Sequence, residues 1–348
     1  MTAPRVLLTG GAGFLGVRLA RELLDRGYHV KVLDIEKLDS PDIEEDVELV
    51  RRDIRDRDAV DNATRGMDYV VHGVAVQPVS RSSRDVFWDI NVKGTENALR
   101  AALEQRVKKF IYISSSAPYG VPSRVPITEE TGFGPVCDYG RSKVAAERIC
   151  NEFRKKGLDV VILRPRVLIG RGRLGIYQML YNWIADSNRI YILGRGDNLF
   201  QPLSGQDMVD ACILSLETNC KNQNFNLGAE EFGTFRGDLQ HLVDHADSKS
   251  TIVSIPALPA KAALFSLDVF HLSPLTPWHY LTCDAPFYYD TSKARKMLGW
   301  RPRINSAGMY EASYDWYVSH RKEVDSKLGT THRRSLKQRL FKVIKRFS

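Results

Sequence analysis

Cysteine is scarce in this sequence, and its few positions form no metal or disulfide pattern. The chain of 348 residues has five cysteines, an odd number, and none of them shows the spacing of a zinc site. They are Cys137, Cys150, Cys212, Cys220 and Cys283. We therefore expect a protein of a reducing compartment, without a disulfide framework and without a bound metal.

Long hydrophobic runs are missing as well. No apolar stretch approaches the roughly 20 residues that a membrane-spanning helix needs. The nearest is 257–272, which Lys261 and Asp268 interrupt. The first strand pattern begins at Arg5, which leaves no space for a secretory signal before it. These absences favour a cytoplasmic protein.

Positive charge is in excess only at the C-terminal end. The formal net charge is +8, but residues 321–348 hold ten Lys and Arg and two Asp and Glu. The first 320 residues therefore carry 40 basic and 40 acidic side chains and are neutral. A nucleic-acid-binding domain needs a basic face on its folded body. We therefore expect no nucleic-acid partner.

The last part of this basic segment has the pattern of an amphipathic helix. In 335–348 the apolar residues recur at helical spacing on one face, and lysines and arginines occupy the rest. Such a short segment is not stably helical alone in water. The pattern predicts contact with an anionic membrane surface, which would place the protein peripherally at the inner face of the membrane. Packing on the protein's own body or on a partner is the alternative.

The most informative motif is a glycine-rich turn after the apolar run 6–8. Gly10, Gly13 and Gly16 follow a G-x-x-G-x-x-G spacing, and a helical pattern over 17–26 comes next. A second strand pattern, 28–33, ends at Asp34. Glycines at such a turn let backbone N–H groups approach a pyrophosphate, and an acidic residue about 20 positions later can bind a ribose hydroxyl. The combination predicts a dinucleotide site.

Strand and helix patterns alternate through the first two-thirds of the chain. The predicted strands are 6–8, 30–33, 47–51, 69–72, 110–113 and 160–163, and the predicted helices include 58–65, 85–105 and 139–156. This alternation predicts an α/β fold, a doubly wound parallel sheet covered on both faces. Later helical patterns, 172–186 and 236–246, are separated by Gly- and Pro-rich loops at 194–196, 256–259 and 273–277. They indicate a smaller C-terminal substrate-binding lobe.

We accordingly divide the chain into three parts. Residues 1–165 form the dinucleotide-binding domain that carries the catalytic residues. Residues 166–320 form the substrate lobe, interleaved with late elements of the first domain. Residues 321–348 form the basic amphipathic tail.

A tyrosine and a lysine in the predicted helix 139–156 suggest catalysis. Tyr139 and Lys143 are four residues apart and share a helix face. A free phenol has a pKa of about 10 and is a weak base, but a neighbouring cation favours the phenolate. Ser115 lies in a serine run at the end of a predicted strand, where ligands bind in open α/β sheets. Exposed helix residues and a capping serine run are the non-catalytic alternatives.

The order of motifs resembles that of extended short-chain dehydrogenases/reductases, the NAD-dependent epimerase/dehydratase group, over roughly residues 4–320. The motifs that carry the resemblance are 9–16, Asp34, 53–54, 72–75, 91–95, 114–120, 139–143 and 163–165, with weaker echoes at 194–198, 206–209, 226–228 and 298–302. The resemblance implies a Rossmann fold, NAD as cofactor and a homodimer formed through the helix 139–156.

The resemblance also implies roles for individual residues. Tyr139 would be the base, Lys143 would bind the nicotinamide ribose and tune the tyrosine, and Ser115 would be the catalytic hydroxyl, with Ser116 as its competitor. The pyrophosphate would lie on the glycine turn, and Asp34 would favour NAD over NADP. The implied cofactor-binding residues are Gly10, Gly13, Phe14, Leu15, Gly16, Asp34, Asp53, Ile54, Ala75, Asn91, Tyr139, Lys143 and Pro165.

The chain departs from the family pattern at two places. Ser116 and Ala117 stand where the 4,6-dehydratases of the group have an Asp-Glu pair, which argues against dehydration. Val167 stands where an Asn contacts the substrate diphosphate. Arg166, Arg171 and Arg173 are candidates to bind this phosphate instead, since guanidinium groups suit phosphate oxygens, and solvated loop arginines are the alternative. The candidate substrate-binding residues are Ser116, Arg166 and Arg173.

Three functions stay open from the sequence. The first is a 4-epimerase or oxidoreductase acting on a nucleotide-linked or lipid-linked sugar. The second resembles 3-beta-hydroxysteroid dehydrogenases and oxidises a sterol or other lipid alcohol. The third is a non-catalytic NAD-binding scaffold.

Overall fold

The centre of the molecule is a parallel sheet of seven strands. The computed structural model describes residues 3–78, 82–173, 175–270, 273 and 275–326. The strands follow the order β10-β6-β5-β4-β1-β2-β3. Their bounds are β1 Arg5–Thr9, β2 His29–Asp34, β3 Glu48–Arg51, β4 Tyr69–His72, β5 Lys109–Ile113, β6 Val160–Pro165 and β10 Asn224–Leu227. The inner strands are continuous apolar runs because helices cover both faces of the sheet.

The side of the sheet to which the chain adds its next strand changes at β1. From β1 the chain moves outward to β2 and β3 and then returns to β4 on the other side of β1. The carboxyl ends of β1 and β4 therefore border a crevice, the place where open α/β sheets bind ligands. Thr9 pairs with Leu33 of β2 on one side and with His72 of β4 on the other.

Helices cover both faces of the sheet. α1 packs against α7 on one face, and α4 packs against α2 and α5 on the other. The bounds are α1 Phe14–Asp25, α2 Arg57–Thr64, α3 Arg84–Phe87, α4 Gly94–Glu104, α5 Asp138–Lys155, α6 Ile176–Ala185 and α7 Gly205–Glu217. The predicted doubly wound α/β fold is confirmed.

The predicted helix 85–105 is interrupted. A π-helical segment, Trp88–Lys93, separates α3 from α4. α4 begins at Gly94, where a Cβ atom would lie 2.7 Å from a methyl group of Ile54. Only a glycine permits this close approach, which hydrophobic periodicity alone does not reveal.

The C-terminal half builds a lobe beyond the carboxyl edge of the sheet. Its described residues form two small parallel pairs, β7 with β9 and β8 with β11, and the helices α6 and α8 to α12. The bounds are β7 Leu168–Ile169, β8 Ile190–Leu193, β9 Leu203–Ser204, β11 Ile252–Ile255, α8 Phe235–His245, α9 Ala257–Val269, α10 Pro277–Thr282, α11 Ser292–Leu298 and α12 Ser306–Ser326.

The boundaries expected at 165 and 320 are not breaks in the structure. β10 returns to pair with β6 of the main sheet, and one apolar core contains Val6, Leu163, Phe225 and Trp300. Position 320 lies inside α12, and Arg321 pairs with Asp186 at the end of α6. The basic segment predicted to bind membranes, 335–348, lies outside the described residues.

Two segments that were expected to be loops form the beginnings of helices. The segment 256–259 enters α9, with Pro256 at the N-cap and Pro259 in the first turn. Pro277 is the first residue of α10. Proline is tolerated at these positions because the first N–H groups of a helix have no intrahelical acceptor. Among the described residues no helix combines the length and the apolar character needed to cross a membrane.

Candidate active site

The glycine turn after β1 forms a tight cradle at the crevice. Gly10 has a φ of +75°, and a Cβ atom there would lie 2.9 Å from the backbone nitrogen of Val74. A Cβ on Gly16 would lie 2.4 Å from the Cα atom of Gly11. A side chain would therefore push the turn away from β4 and from α1. Gly13 caps α1 without a side-chain acceptor, so the first N–H groups of α1 stay available to an anion.

Asp34 lies at the end of β2 and borders the same cleft. Its carboxylate accepts hydrogen bonds from the backbone N–H groups of Ala12 and Glu36, each at 3.0 Å. These bonds hold the carboxylate beside the glycine turn. A carboxylate in this place can accept hydrogen bonds from ribose hydroxyls and repels a phosphate there.

Tyr139 and Ser115 meet on the opposite wall. Tyr139 lies in the first turn of α5 and is buried, with its ring edge-to-face against Phe87 at 6.2 Å between centroids. The Ser115 hydroxyl, which follows β5, is a close neighbour of the phenol and lines the same cleft. Burial raises the pKa of Tyr139 to about 12, and the Ser115 hydroxyl and the charge of Arg173 oppose this rise. The phenol is thus shielded from water, while Ser115 and Arg173 favour its ionised form.

Lys143 is buried one helical turn further along α5. Its ammonium donates a hydrogen bond to the carbonyl of Ile113 at 2.9 Å and lies 4.8 Å from the ring centre of Tyr112. Burial lowers the pKa of Lys143 to about 8. A second cation, Arg173, lies near enough to lower the pKa of Tyr139, and the tuning of the phenol by Lys143 stays a prediction.

Glu147 is a site residue that the sequence analysis missed. Its carboxylate is buried, accepts the Ser114 hydroxyl at 2.6 Å and pairs with the Arg164 guanidinium at 2.7 Å. It thereby ties α5 to the ends of β5 and β6, which carry Ser115 and Pro165. A signal existed in the sequence, because Glu147 continues the four-residue spacing of Tyr139 and Lys143.

Two arginines line the cleft without a carboxylate partner among the described residues. The Arg166 guanidinium lies 4.0 Å from the ring centre of Phe287 and 3.5 Å from the Ser116 hydroxyl. Arg173 lies over the ring of Phe14. Burial lowers the pKa of each arginine to about 10, which leaves both charged at neutral pH. A desolvated unpaired cation in a cleft is suited to binding an anion.

The other predicted cofactor residues divide into two groups. Phe14, Leu15, Ala75 and Pro165 line the cleft. Asp53, Ile54 and Asn91 are not part of the cleft wall. Asp53 pairs with Arg55, Ile54 is buried against Gly94, and Asn91 is buried with its amide bonded to the backbone of Val76 and to Ser142. Asn91 therefore positions the strand end that borders the cleft.

The cleft is large enough for a dinucleotide and a second molecule. Its volume is about 1710 Å³, above the usual 300–1,000 Å³ of a pocket for one small ligand. The glycine turn and Asp34 form one end of the cleft, and Ser115 and Tyr139 line its middle part. From there the cleft continues into the C-terminal lobe. No cluster of metal-ligating side chains was found among the described residues.

Comparison with known proteins assigns the family. The model of the NAD dependent epimerase/dehydratase family matches residues 6–228, well over half of the chain. The chain belongs to this family. NAD is therefore its cofactor, and the glycine cradle and Asp34 fit that cofactor.

Three similar proteins illustrate the range of this NAD-dependent family. An uncharacterised protein of Sinorhizobium fredii is 39% identical, covering 97% of this chain and 85% of the relative. A UDP-glucose 4-epimerase of Lactobacillus helveticus is 28% identical, covering 93% and 100%. The solved structure of a dTDP-glucose 4,6-dehydratase from Streptomyces venezuelae, with NAD bound, has a TM-score of 0.76 at 24% identity and covers 92% and 98%. The solved dehydratase shares the fold of this chain, and the description of the family names both epimerases and dehydratases.

Proposed function

We propose that this protein is an NAD-dependent enzyme that oxidises and re-reduces a secondary hydroxyl of a sugar, a 4-epimerase type of reaction. The observation that carries the proposal is that Ser115 and Tyr139 are close neighbours and line the same cleft as the glycine cradle. A proton acceptor, a hydroxyl that polarises the same oxygen and a hydride acceptor are what this chemistry needs.

The roles of the side chains follow from their positions. NAD, when bound, supplies the hydride acceptor. Tyr139 takes the proton of the substrate hydroxyl as its C–H bond breaks, and Ser115 donates a hydrogen bond to the oxygen that becomes a carbonyl. Lys143 holds the end of β5 through Ile113, and we assign to it the binding of the nicotinamide ribose. Arg166 and Arg173 bind the anionic part of the substrate.

We propose that water is not eliminated. Dehydration at a sugar needs an acid near the reacting carbons, and the carboxylates of the described cleft wall, Asp34, Glu36 and Asp39, are all at the ribose end. Ser116 and Ala117 are buried beside Ser115 and bring no carboxylate. Solvent deuterium in a dehydrated product would contradict this proposal.

A simple dehydrogenase acting on a lipid alcohol is the second candidate, since the lobe end of the cleft is strongly apolar. A substrate deuterated at the carbinol carbon separates the two. An epimerase returns the deuterium to the sugar without lasting absorbance of reduced nicotinamide, and a dehydrogenase transfers it to NADH, which accumulates. Absence of any deuterium transfer with every sugar and sterol tested would instead support a scaffold. The homodimer through α5 and the cytoplasmic location stay predictions.

A further inference from the structure

The cleft has a second, apolar branch that the proposed reaction leaves unexplained. Beyond residue 175 its described walls carry no Asp, Glu, Lys or Arg. The walls come from α6, β8, α8, α9 and α10, with aromatic and aliphatic side chains such as Leu180, Trp183, Leu264 and Trp278. His279 also lines it, and burial lowers the pKa of His279 to about 4, so that it is neutral. A nucleotide base and its ribose would find few hydrogen-bonding partners in such a branch.

Two arginines of the described cleft wall lie near Tyr177 of α6, where this branch begins. Arg166 and Arg173 are the basic residues of the described cleft wall outside the ribose end, where Lys37 lies. Arg173 is near enough to the phenol of Tyr139 to lower its pKa. The cleft therefore presents, in order, a catalytic phenol, two unpaired cations and an apolar channel.

Helix α9 forms one wall of the branch and also a surface of the molecule. Ala260, Ala263 and Leu264 face the cleft. None of the residues of α9 is buried, although most of its side chains are apolar around the whole circumference. Leu258 is 83% exposed, and Phe265 and Phe270 are 62% and 72% exposed. A helix that is apolar all round is normally covered, so its outer face is suited to a lipid surface.

The rest of the chain offers charge of the matching sign. Residues 327–348, which follow α12, hold eight Lys and Arg and no Asp or Glu. Basic segments of this density are attracted to anionic bilayers. An apolar patch and a basic segment on one chain together provide the two signals that stable membrane attachment needs.

We propose that the substrate is linked to an aliphatic lipid through phosphate, with the lipid chain in the apolar branch, the phosphate on Arg166 and Arg173, and the outer face of α9 on the membrane from which the substrate enters. This inference rests on the proposed function, which supplies the reacting hydroxyl of the sugar. It differs in the carrier, because the sugar is attached to a lipid phosphate and not to a nucleotide.

Binding to the NAD-loaded full-length protein tests the carrier without any turnover. Trp183 and Trp278 line the branch, so their fluorescence reports its occupation. We expect geranylgeranyl phosphate below its micelle concentration to change this fluorescence and to bind at least tenfold more tightly than UDP. The double variant Arg166→Met/Arg173→Met should make geranylgeranyl phosphate and geranylgeraniol bind alike. Tight binding of UDP that geranylgeranyl phosphate cannot displace would overturn the inference.

Two leucines of α9 provide matched variants. Leu264→Asp, in the cleft, should weaken geranylgeranyl phosphate binding at least tenfold and leave binding to phosphatidylglycerol vesicles unchanged. Leu258→Asp, on the outer face, should weaken vesicle binding and leave geranylgeranyl phosphate binding unchanged. Equal behaviour of the two variants in both assays would contradict the assignment. NAD affinity, measured on each variant, confirms that the fold is intact.

This design separates the carrier from the reaction. If UDP binds and the deuterium of a UDP-sugar is returned, the carrier inference fails while the proposed chemistry stands. If geranylgeranyl phosphate binds as expected but no alcohol exchanges deuterium, the carrier inference stands and the proposed reaction fails.

Discussion

Lys143 donates its hydrogen bond to the carbonyl of Ile113 at 2.9 Å. This bond connects the second turn of α5 with the last residue of β5, directly before the segment that carries Ser115. The relative position of Ser115 and Tyr139 therefore depends on a buried lysine that contacts neither a carboxylate nor the phenol through a hydrogen bond in the described structure.

Replacement of this lysine should reduce both cofactor binding and catalysis. Lys143→Met retains the volume but leaves the Ile113 carbonyl without its donor, at a cost of about 1–3 kcal/mol in stability. We expect a weaker NAD affinity and a lower kcat, measured by titration calorimetry and steady-state kinetics. Lys155→Met, on the exposed end of the same helix, is the control and should change neither. A normal kcat for Lys143→Met would refute the role given to this residue.

Removal of the phenolic hydroxyl should abolish most of the turnover. Tyr139→Phe keeps the ring against Phe87 but has no proton acceptor, so kcat should fall by about 10²–10⁴-fold. NAD affinity and unfolding temperature should stay close to those of the unaltered protein. Tyr28→Phe, directly before β2, is the matched control. A loss of less than tenfold would show that another group takes the proton.

The pH profile should report the surroundings of Tyr139. The reacting form is the phenolate, and burial, together with the smaller effect of Cys137, raises the pKa of Tyr139 to about 12 in the cofactor-free protein. The kcat/KM for oxidation should therefore rise with pH. Ser115→Ala and Arg173→Met each remove a group that lowers this pKa, so the rising limb should move to higher pH. Ser115→Thr keeps the hydroxyl and should keep the limb in place. A limb that does not move in Ser115→Ala contradicts the assignment of this serine.

Two aspartates give opposite expectations for cofactor binding. Asp34→Asn removes the charge that repels a 2′-phosphate, so the preference for NAD over NADP should fall at least tenfold. Asp53→Asn should leave NAD affinity within about twofold, because Asp53 pairs with Arg55 away from the cleft. Dissociation constants of both cofactors for both variants decide this. A large loss in Asp53→Asn would instead restore its predicted contact with the adenine.

The Glu147–Arg164 pair should be important for stability. Both side chains are buried, and removal of one partner leaves an uncompensated charge, so Glu147→Gln should cost about 3–5 kcal/mol in the free energy of unfolding. The exposed pair Arg195–Asp197 is the control, and Asp197→Asn should cost less than about 1 kcal/mol. The double variant Glu147→Leu/Arg164→Met should recover part of the loss, since no charge is left unpaired. Chemical denaturation measures all three.

The sequence was sufficient for the sheet and for the local motifs. Strands 69–72 and 160–163 were predicted within two residues because buried parallel strands are continuous apolar runs, and the glycine spacing marked the cradle. The cofactor, NAD, followed from the order of motifs. These features are local, and local patterns are visible in a chain without its fold.

The missing parts depend on residues that are distant in sequence. Arg173, from the loop before α6, lies near enough to lower the pKa of Tyr139. Glu147 of α5 pairs with Arg164 of β6. The helix at 257–269 was hidden by its prolines. In each case a tertiary contact or a capping position decided the outcome, which residue spacing does not encode.

The late strand β10 has a consequence for the newly made chain. It pairs with β6 at the edge of the main sheet, and the same apolar core extends to Trp300. Until residues 224–300 leave the ribosome, β6 presents an open apolar edge, which is prone to aggregation. The nascent chain therefore carries Ser115 and Tyr139 well before the sheet that holds them is complete. Premature termination before residue 224 should give aggregates or rapid degradation rather than a partly active enzyme.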